Sequence, residues 1–423
     1  MDMFKNNKYN YGAFMLYMTM FLHGIQAIIL SQNADYFASQ WNSDVAGVFS
    51  VIAWTGIGKI VFITFSGVLS DKFGRKPVAM SGVVGYLILF GALLFTQNIT
   101  LAKLVSFIGG AATSLYDGSI NPALMEIYPD NKSTASIFNK GFISVSGVMF
   151  PLIVGYLAAN NMSARTSILI PFILTALVFI GFFFAKFPDG DIKKEQNISA
   201  AEAIKTLESN QSASGTTINK KKQPNFAIDG IIIIAFSFFI YSSFYLFQQV
   251  VSIYAINIVQ MSEVASRSLA SYYQIGAFAA VILSAMFMAR GIRDMTLLVV
   301  YPLIAGITAL TIYLTPNEVT LTIGSAIIGF TAAGGALQMG NSLLNQFFDK
   351  NKGRNTSMYF FAMSLGSYIM PTLASSMEAS NNFTLIMLLD AVVAFVAFAI
   401  MAIIAIRYKH IFGVSGFSNS KKN

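Results

Sequence analysis

The sequence predicts an all-α membrane protein, with twelve transmembrane helices arranged as two pseudo-symmetric six-helix bundles. This prediction depends on the apolar bulk of the chain, on the number of its apolar runs and on an internal repeat. The 423 residues are 55% hydrophobic and only 11% charged, with a mean hydropathy of +0.63. A soluble domain is normally about a quarter charged and cannot bury so much apolar surface, so we expect a lipid bilayer to surround this chain.

Twelve apolar runs are each long enough to cross the hydrocarbon layer, which takes about 20 helical residues. The one long polar stretch, at 187–225, carries acidic residues, lysines and a Ser/Gly/Thr patch, and it predicts a cytoplasmic linker. It separates a bundle at 1–186 from a second bundle at 226–408, which a tail at 409–423 follows. The predicted spans, numbered one to twelve, are 12–31, 46–69, 78–97, 103–127, 136–158, 166–186, 228–252, 266–289, 296–315, 320–346, 356–377 and 383–407.

The two bundles resemble each other in sequence. The segment Asn121-Pro122-Ala123-Leu124 corresponds to Asn341-Ser342-Leu343-Leu344, and at the same offset Pro151 corresponds to Pro371. Spans four and five therefore recur as spans ten and eleven. Two related halves joined by a polar linker are typical of transporters.

The distribution of basic residues predicts the orientation. With both termini inside, the inside segments carry most Lys and Arg residues, whereas the outside ends carry only Lys103, Arg165 and Arg267. Cytoplasmic loops are enriched in basic residues. We therefore expect a multi-pass protein of the cell membrane with cytoplasmic N- and C-termini.

Composition also excludes several classes of protein. Cysteine is absent, which excludes disulfide frameworks and thiolate metal sites. No nucleophile–base set or metal-ligand cluster is evident, so we expect neither an enzyme nor a bound metal. The formal net charge of +8 is explained by basic cytoplasmic loops and does not indicate a nucleic-acid partner.

The loop between spans two and three carries a motif, Gly67-Val68-Leu69-Ser70-Asp71-Lys72-Phe73-Gly74-Arg75-Lys76-Pro77. It resembles the signature loop of the major facilitator superfamily, and the twelve-span layout extends the resemblance to nearly the whole chain. The resemblance implies that spans one, four, seven and ten line a solute path. It also implies that this loop latches the two halves in the outward-open state.

The residue types of this latch loop have physical reasons. Gly67 is expected to let a neighbouring helix approach closely, and Gly74 to permit a tight turn. Asp71 needs a basic partner or a helix N-terminus, while Arg75 and Lys76 suit the cytoplasmic surface. The alternative is that the two basic residues only set the topology.

Two ionisable residues lie near mid-depth, Lys59 in span two and Asp117 in span four. A charge there costs several kcal/mol unless it is paired or hydrated, so each is a functional candidate. Their similar depths allow an ion pair. Asp117 is our candidate proton or solute site, with Lys59 and the titratable His23 of span one as further coupling candidates; the alternative is a permanent structural pair. Lys140 is close enough in depth to be able to pair with Glu126, and a structural role is the favoured interpretation.

Polar side chains predict the lining of a solute cavity. Tyr241, Tyr245 and Gln248 share one face of span seven and offer hydroxyl groups, an amide and aromatic rings. The alternative for each polar residue is hydrogen bonding between helices. The complete set of predicted cavity residues is Gln26, Asn121, Asn139, Tyr241, Tyr245, Gln248, Gln249, Gln338 and Asn341.

Two weaker resemblances concern the solute. The pair Gln248-Gln249 is similar to the paired glutamines on span seven of sugar porters. Asp117 followed by Asn139 is similar to the fucose–proton symporter branch, where an acid on span four and an asparagine on span five serve proton and sugar. The span-one acid of that branch has no counterpart, since His23 is the titratable group there.

These observations predict a secondary active transporter for a small polar organic solute, a sugar or an organic acid, working by alternating access and proton-coupled symport. We expect no cofactor, a proton gradient as the energy source, and a monomer in the lipid bilayer. An efflux antiporter for drugs or metabolites is one alternative. A transport-inactive membrane sensor is an alternative of another class.

Overall fold

The computed structural model describes residues 7–188, 222–333, 335–348 and 352–417. Within these described residues, twelve membrane-crossing helices follow one another, as the apolar runs predict. Their bounds are Asn10–Gln26, Val45–Phe73, Arg75–Phe95, Ile99–Ile127, Lys132–Ala159, Arg165–Phe184, Ile231–Asn257, Glu263–Ala289, Asp294–Leu314, Glu318–Ala333 continued by Ala336–Phe347, Lys352–Ala379 and Ile386–Phe412, which are spans one to twelve.

Ten of the described helices are long and apolar enough to cross a membrane by length and composition alone. The other two crossings are span one, with 17 residues, and span eleven, whose sequence is rich in Ser. Helices satisfy all their interior backbone groups internally, which is the condition for crossing hydrocarbon.

The two halves pack in the same way. Span two packs on span four as span eight packs on span ten, and span one packs on span five as span seven packs on span eleven. The halves meet where span two contacts span eleven and where span five contacts span eight, two contacts that exchange under the same pseudo-symmetry. The predicted architecture of two six-helix bundles is confirmed.

Three helix ends differ from the prediction. Span one stops at Gln26 and is followed by a short helix, Ile29–Gln32. Span ten is interrupted, and its second part begins after Gly335, which has a φ of 95°. Span twelve continues to Phe412, so the predicted tail boundary at 409 is wrong. Lys409 and His410 are favourable in the last turn of that helix, and Gly413, with φ of 73°, ends it.

The helices that lead into and out of the linker end at the same side of the bundle, which we call the linker side. There Asn7 Nδ2 donates to the carbonyl of Ile127 at 2.8 Å, and Lys76 Nζ donates to the carbonyl of Ala185 at 2.6 Å. The backbone N–H of Lys222 donates to the carbonyl of Ile411 at 3.2 Å. We call the opposite end the distal side. Most of the predicted linker, 189–221, lies outside the described residues.

Close contact between the halves depends on glycine. A Cβ at Gly56 of span two would overlap the backbone of span eleven at Ser367. At Gly147 of span five, a Cβ would lie 2.7 Å from the side chain of Gln274 in span eight. These two glycines therefore set how near the halves come to each other.

We predict that Gly56→Ala destabilises the protein by about 1–3 kcal/mol, because the added methyl group forces spans two and eleven apart. The measurement is the thermal unfolding midpoint of the purified protein in detergent. Gly67→Ala is the matched control, since a Cβ at Gly67 would meet nothing within 4 Å. Equal midpoints for the two variants would contradict this account of the interface.

Candidate functional site: a charged cavity between the halves

A cavity of about 790 Å³ lies between the two halves. Spans one, four, seven and ten contribute to its wall, as the family resemblance implies, and spans two, five, eight and eleven contribute as well. Among the described residues, none that line it come from spans three, six, nine and twelve. The volume suits a small organic solute.

The cavity is closed on the distal side by hydrogen bonds between the halves. Gln32 Nε2 donates to Ser252 Oγ at 3.0 Å, and the guanidinium of Arg267 donates to the carbonyl of Gln32. Ser375 Oγ donates to the carbonyl of Ala46 at 2.7 Å. Aromatic packing of Phe49 on Phe383, with ring centroids 5.8 Å apart, adds to this closure.

The cavity extends to the linker side, where its wall includes Gly67, Val68 and Asp71. Val68 is 66% exposed, and the side chain of Asp71 is 72% exposed. The structure is therefore a conformation that is open at the linker side and closed at the distal side.

Lys59 and Asp117 are neighbours on the wall of the cavity. Lys59 Nζ lies 4.0 Å from Asp117 Oδ2, at the outer limit of an ion pair, and the side chains are 13% and 35% exposed. Lys59 Nζ also lies 5.4 Å from the centroid of the Tyr241 ring, within the range of a cation–π interaction. A long, partly exposed ion pair can be opened by a small movement of either helix.

His23 belongs to a hydrogen-bonded network at the cavity. Its Nδ1 lies 2.9 Å from the hydroxyl of Tyr86. That hydroxyl is also 3.0 Å from Thr113 Oγ1 and donates to Gln26 Oε1 at 3.3 Å. The structure thus joins two predicted site residues, His23 and Gln26, through Tyr86 and Thr113, which the sequence analysis did not single out.

The expected pairing of Lys140 with Glu126 is wrong. Glu126 Oε1 accepts two hydrogen bonds from Arg75, from Nε at 2.9 Å and from Nη2 at 2.8 Å. Lys140 instead lines the cavity and is exposed there. Glu126 pairs with Arg75 and not with Lys140, because the planar guanidinium of Arg75 presents two donors in fixed geometry.

Asn121 and Asn139 form a hydrogen bond, in which Asn139 Nδ2 donates to Asn121 Oδ1 at 2.8 Å, and both line the cavity. Asn341, the symmetry mate of Asn121, does not line the cavity in this conformation. It accepts a hydrogen bond from Asn345 at 3.3 Å, and Asn345 also donates to Thr356. Asn341 is thus linked through Asn345 to Thr356 of span eleven.

The predicted residues of span seven lie on the cavity wall, together with Gln338 of span ten. Tyr241 and Tyr245 stack with ring centroids 5.3 Å apart. Gln249 also donates to the carbonyl of Ala27 at 2.8 Å, so it contributes to distal closure. The cavity residues on span seven are Tyr241, Phe244, Tyr245, Gln248 and Gln249.

The latch loop is built around Arg75, which donates to Asp71 Oδ1 at 2.6 Å and to Ser70 Oγ at 2.9 Å. Gly74 has a φ of 98°, so the predicted tight turn is present. Span four does approach closely at Gly67, but not on the side of the Gly67 Cβ position, where an added Cβ would meet nothing within 4 Å. The close approach is made by Gly118 of span four, whose Cβ would lie 2.7 Å from the backbone nitrogen of Gly67.

Twelve crossings in two related halves around a polar cavity, open at one side, define a membrane transporter. The family model of the Major Facilitator Superfamily matches residues 11–316, and the chain belongs to that superfamily. Its members are secondary transporters that work by alternating access, and neither the family nor its relatives are enzymes.

Two curated relatives are inner membrane transport proteins of Escherichia coli strain K12. YdiN is 32% identical over 397 residues, covering 94% of this chain and 90% of YdiN. YdiM is 30% identical over 404 residues, covering 95% of each chain. The crystal structure of a D-xylose-proton symporter matches with a TM-score of 0.72 and 14% identity, over 93% of this chain and 97% of that one. At 14% identity, this structural match establishes a common fold only.

We predict that an impermeant maleimide reaches the cavity from the linker side only. Inside-out vesicles present the linker side if both termini are cytoplasmic, as the basic residues predict. In them, Ser144→Cys, on the cavity wall, should react faster than Ser252→Cys, which is 3% exposed and part of the distal closure. The chain has no cysteine, so labelling has no background. Fast labelling of Ser252→Cys with protection of Ser144→Cys would contradict the assigned conformation.

Proposed function

We propose that the protein is a proton-coupled symporter that carries a small polar organic solute, a sugar or an organic acid, into the cell. The observation that supports this most is the 4.0 Å separation of Lys59 and Asp117 on the cavity wall. A carboxyl group that can be paired or unpaired as the helices move is able to bind a proton on one side of the membrane and release it on the other.

The proposal places the linker side in the cytoplasm, following the distribution of basic residues. The structure is then the inward-open state, and the latch loop would engage the second half when the linker side closes. Motion of the halves about the contacts at Gly56 and Gly147 would close the linker side and break the distal hydrogen bonds. We also propose a monomer in the cell membrane that uses the proton gradient and no cofactor.

Coupling is assigned to Asp117 as the proton carrier. The groups that face it are Lys59 from span two, His23 from span one, Lys140 from span five and Tyr241 from span seven. When Asp117 binds a proton from the outside, Lys59 loses its counter-charge and is available to a solute. Proton release to the cytoplasm restores the pair and resets the cavity.

We predict that Asp117→Asn abolishes the dependence of solute accumulation on the pH gradient, because the amide cannot exchange a proton. The measurement is uptake by right-side-out vesicles of a panel of labelled sugars and organic acids, with and without an inward proton gradient. Asp130→Asn, in the exposed turn Pro129–Asn131 on the linker side, is the matched control and should behave as wild type.

Gradient-driven uptake that survives Asp117→Asn with unchanged pH dependence would remove Asp117 from the coupling mechanism. Solute extrusion instead of uptake would replace symport by efflux antiport. These two outcomes are separate, because the first concerns the coupling residue and the second concerns the direction of transport.

A further inference from the structure

Lys140 is a cationic residue on the cavity wall to which the proposed coupling assigns no role. Among the described residues it takes part in no hydrogen bond or ion pair that we observe, although the charges of Asp117 and Lys59 act on it. It is exposed, and it lines the cavity. A lysine within a membrane span is costly without a partner, which makes it a candidate for binding a solute.

The position of Lys140 is fixed by its neighbour. The hydrogen bond from Asn139 to Asn121 brings span five level with span four at those residues. Asp117 lies one helical turn from Asn121, about 6 Å along the axis. Since a lysine side chain is of similar length, its ammonium group can reach the region of Asp117 and Lys59.

The centre of the cavity is therefore positive. Lys59 and Lys140 contribute two positive charges there, against one negative charge from Asp117. The other acid on the wall, Asp71, lies at the linker-side mouth and is paired with Arg75. The second part of span ten begins at Ala336, and Leu337 and Gln338 in its first turn line the same cavity, which adds the positive end of a helix dipole.

We propose that the solute is an organic monocarboxylate, held by Lys140 and by Lys59 after Asp117 has been protonated. Lys59 then exchanges its partner, leaving the Asp117 carboxyl for the solute carboxylate. Proton and anion enter together, and the charge inside the cavity is the same before and after loading. The polar groups of Tyr241, Tyr245 and Gln248 are available to bind hydroxyl groups on the rest of the solute. This inference rests on the proposed symport, because it names the solute class for the same site.

The first test measures binding to the purified full-length protein in nanodiscs by calorimetry, without any gradient and at about pH 5.5, the acid end of the range in which the probes stay ionised. The probes are lactate, gluconate and glucuronate, each compared with its uncharged counterpart, propane-1,2-diol, glucitol or glucose. At least one carboxylate should bind, and its counterpart should bind at least about tenfold more weakly, since a hydrogen bond to a charged group is lost.

Variants of Lys140 make the test specific. Lys140→Gln should weaken carboxylate binding about tenfold or more, whereas Lys140→Arg should retain it because the positive charge remains. Lys103→Gln, the same change at the distal end of span four, is the matched control and should bind as wild type. If Lys140→Gln fails to fold, the comparison of carboxylates with their counterparts on the wild-type protein still decides the matter.

The second test follows the affinity of the best carboxylate from about pH 5.5 to pH 8, where the probes stay ionised. Affinity should rise as the pH falls in the wild type, and it should be high and independent of pH in Asp117→Asn, whose amide mimics the protonated acid. A pH response that persists in Asp117→Asn would overturn the exchange of partners by Lys59.

The proposal is overturned if no carboxylate binds, if uncharged counterparts bind equally well, or if Lys140→Gln binds as wild type. Failure of the proposed symport is distinguishable from these results. Carboxylate binding without proton-driven uptake would remove the coupling and keep the anion site. Proton-driven uptake of an uncharged sugar would keep the symport and remove the anion site.

Discussion

Hydrocarbon offers no hydrogen-bond partner to a polar group, and the organisation of this protein follows from that constraint. Backbone groups are satisfied inside helices, so the described part of the chain crosses the membrane twelve times as helix. Charged side chains cannot face lipid, so Lys59, Asp117 and Lys140 are gathered on the wall of one central cavity. Where the halves touch, small residues such as Gly56 and Gly147 allow close packing, because van der Waals contact replaces hydrophobic attraction between helices in a membrane.

The fold could be predicted from the sequence because its signals are local and strong. Apolar runs of about 20 residues give the twelve spans, and positive φ at Gly74 agrees with the turn that the latch motif implies. The predicted helix ends were less accurate, since the end of a helix depends on capping and packing. Span twelve reaches Phe412 because its last turn packs against Phe347, a contact between helices distant in sequence.

The candidate site was predicted only in part. The proximity of Lys59 and Asp117 could be predicted because the depth of each residue in its span can be counted along the helix, and the two depths are similar. The pairing of Lys140 with Glu126 was predicted wrongly because it depends on the rotation of span five about its axis and on competition from the guanidinium of Arg75. Neither can be obtained by counting residues along a helix. The distal closure by Gln32, Ser252 and Arg267 brings together residues more than two hundred positions apart. One sequence contains no signal for such contacts.

Alternating access driven by protonation of Asp117 is the central claim, and spin-label distances test it most directly. One label pair would span the distal side, at Thr100 and Ser380, and the other the linker side, at Asp130 and Arg290, all exposed positions. Between pH 5 and pH 8, the two distances should change in opposite directions in the wild type and stay constant in the Asp117→Asn background. Distances that do not respond to pH at either side, or that still respond in Asp117→Asn, would contradict the account.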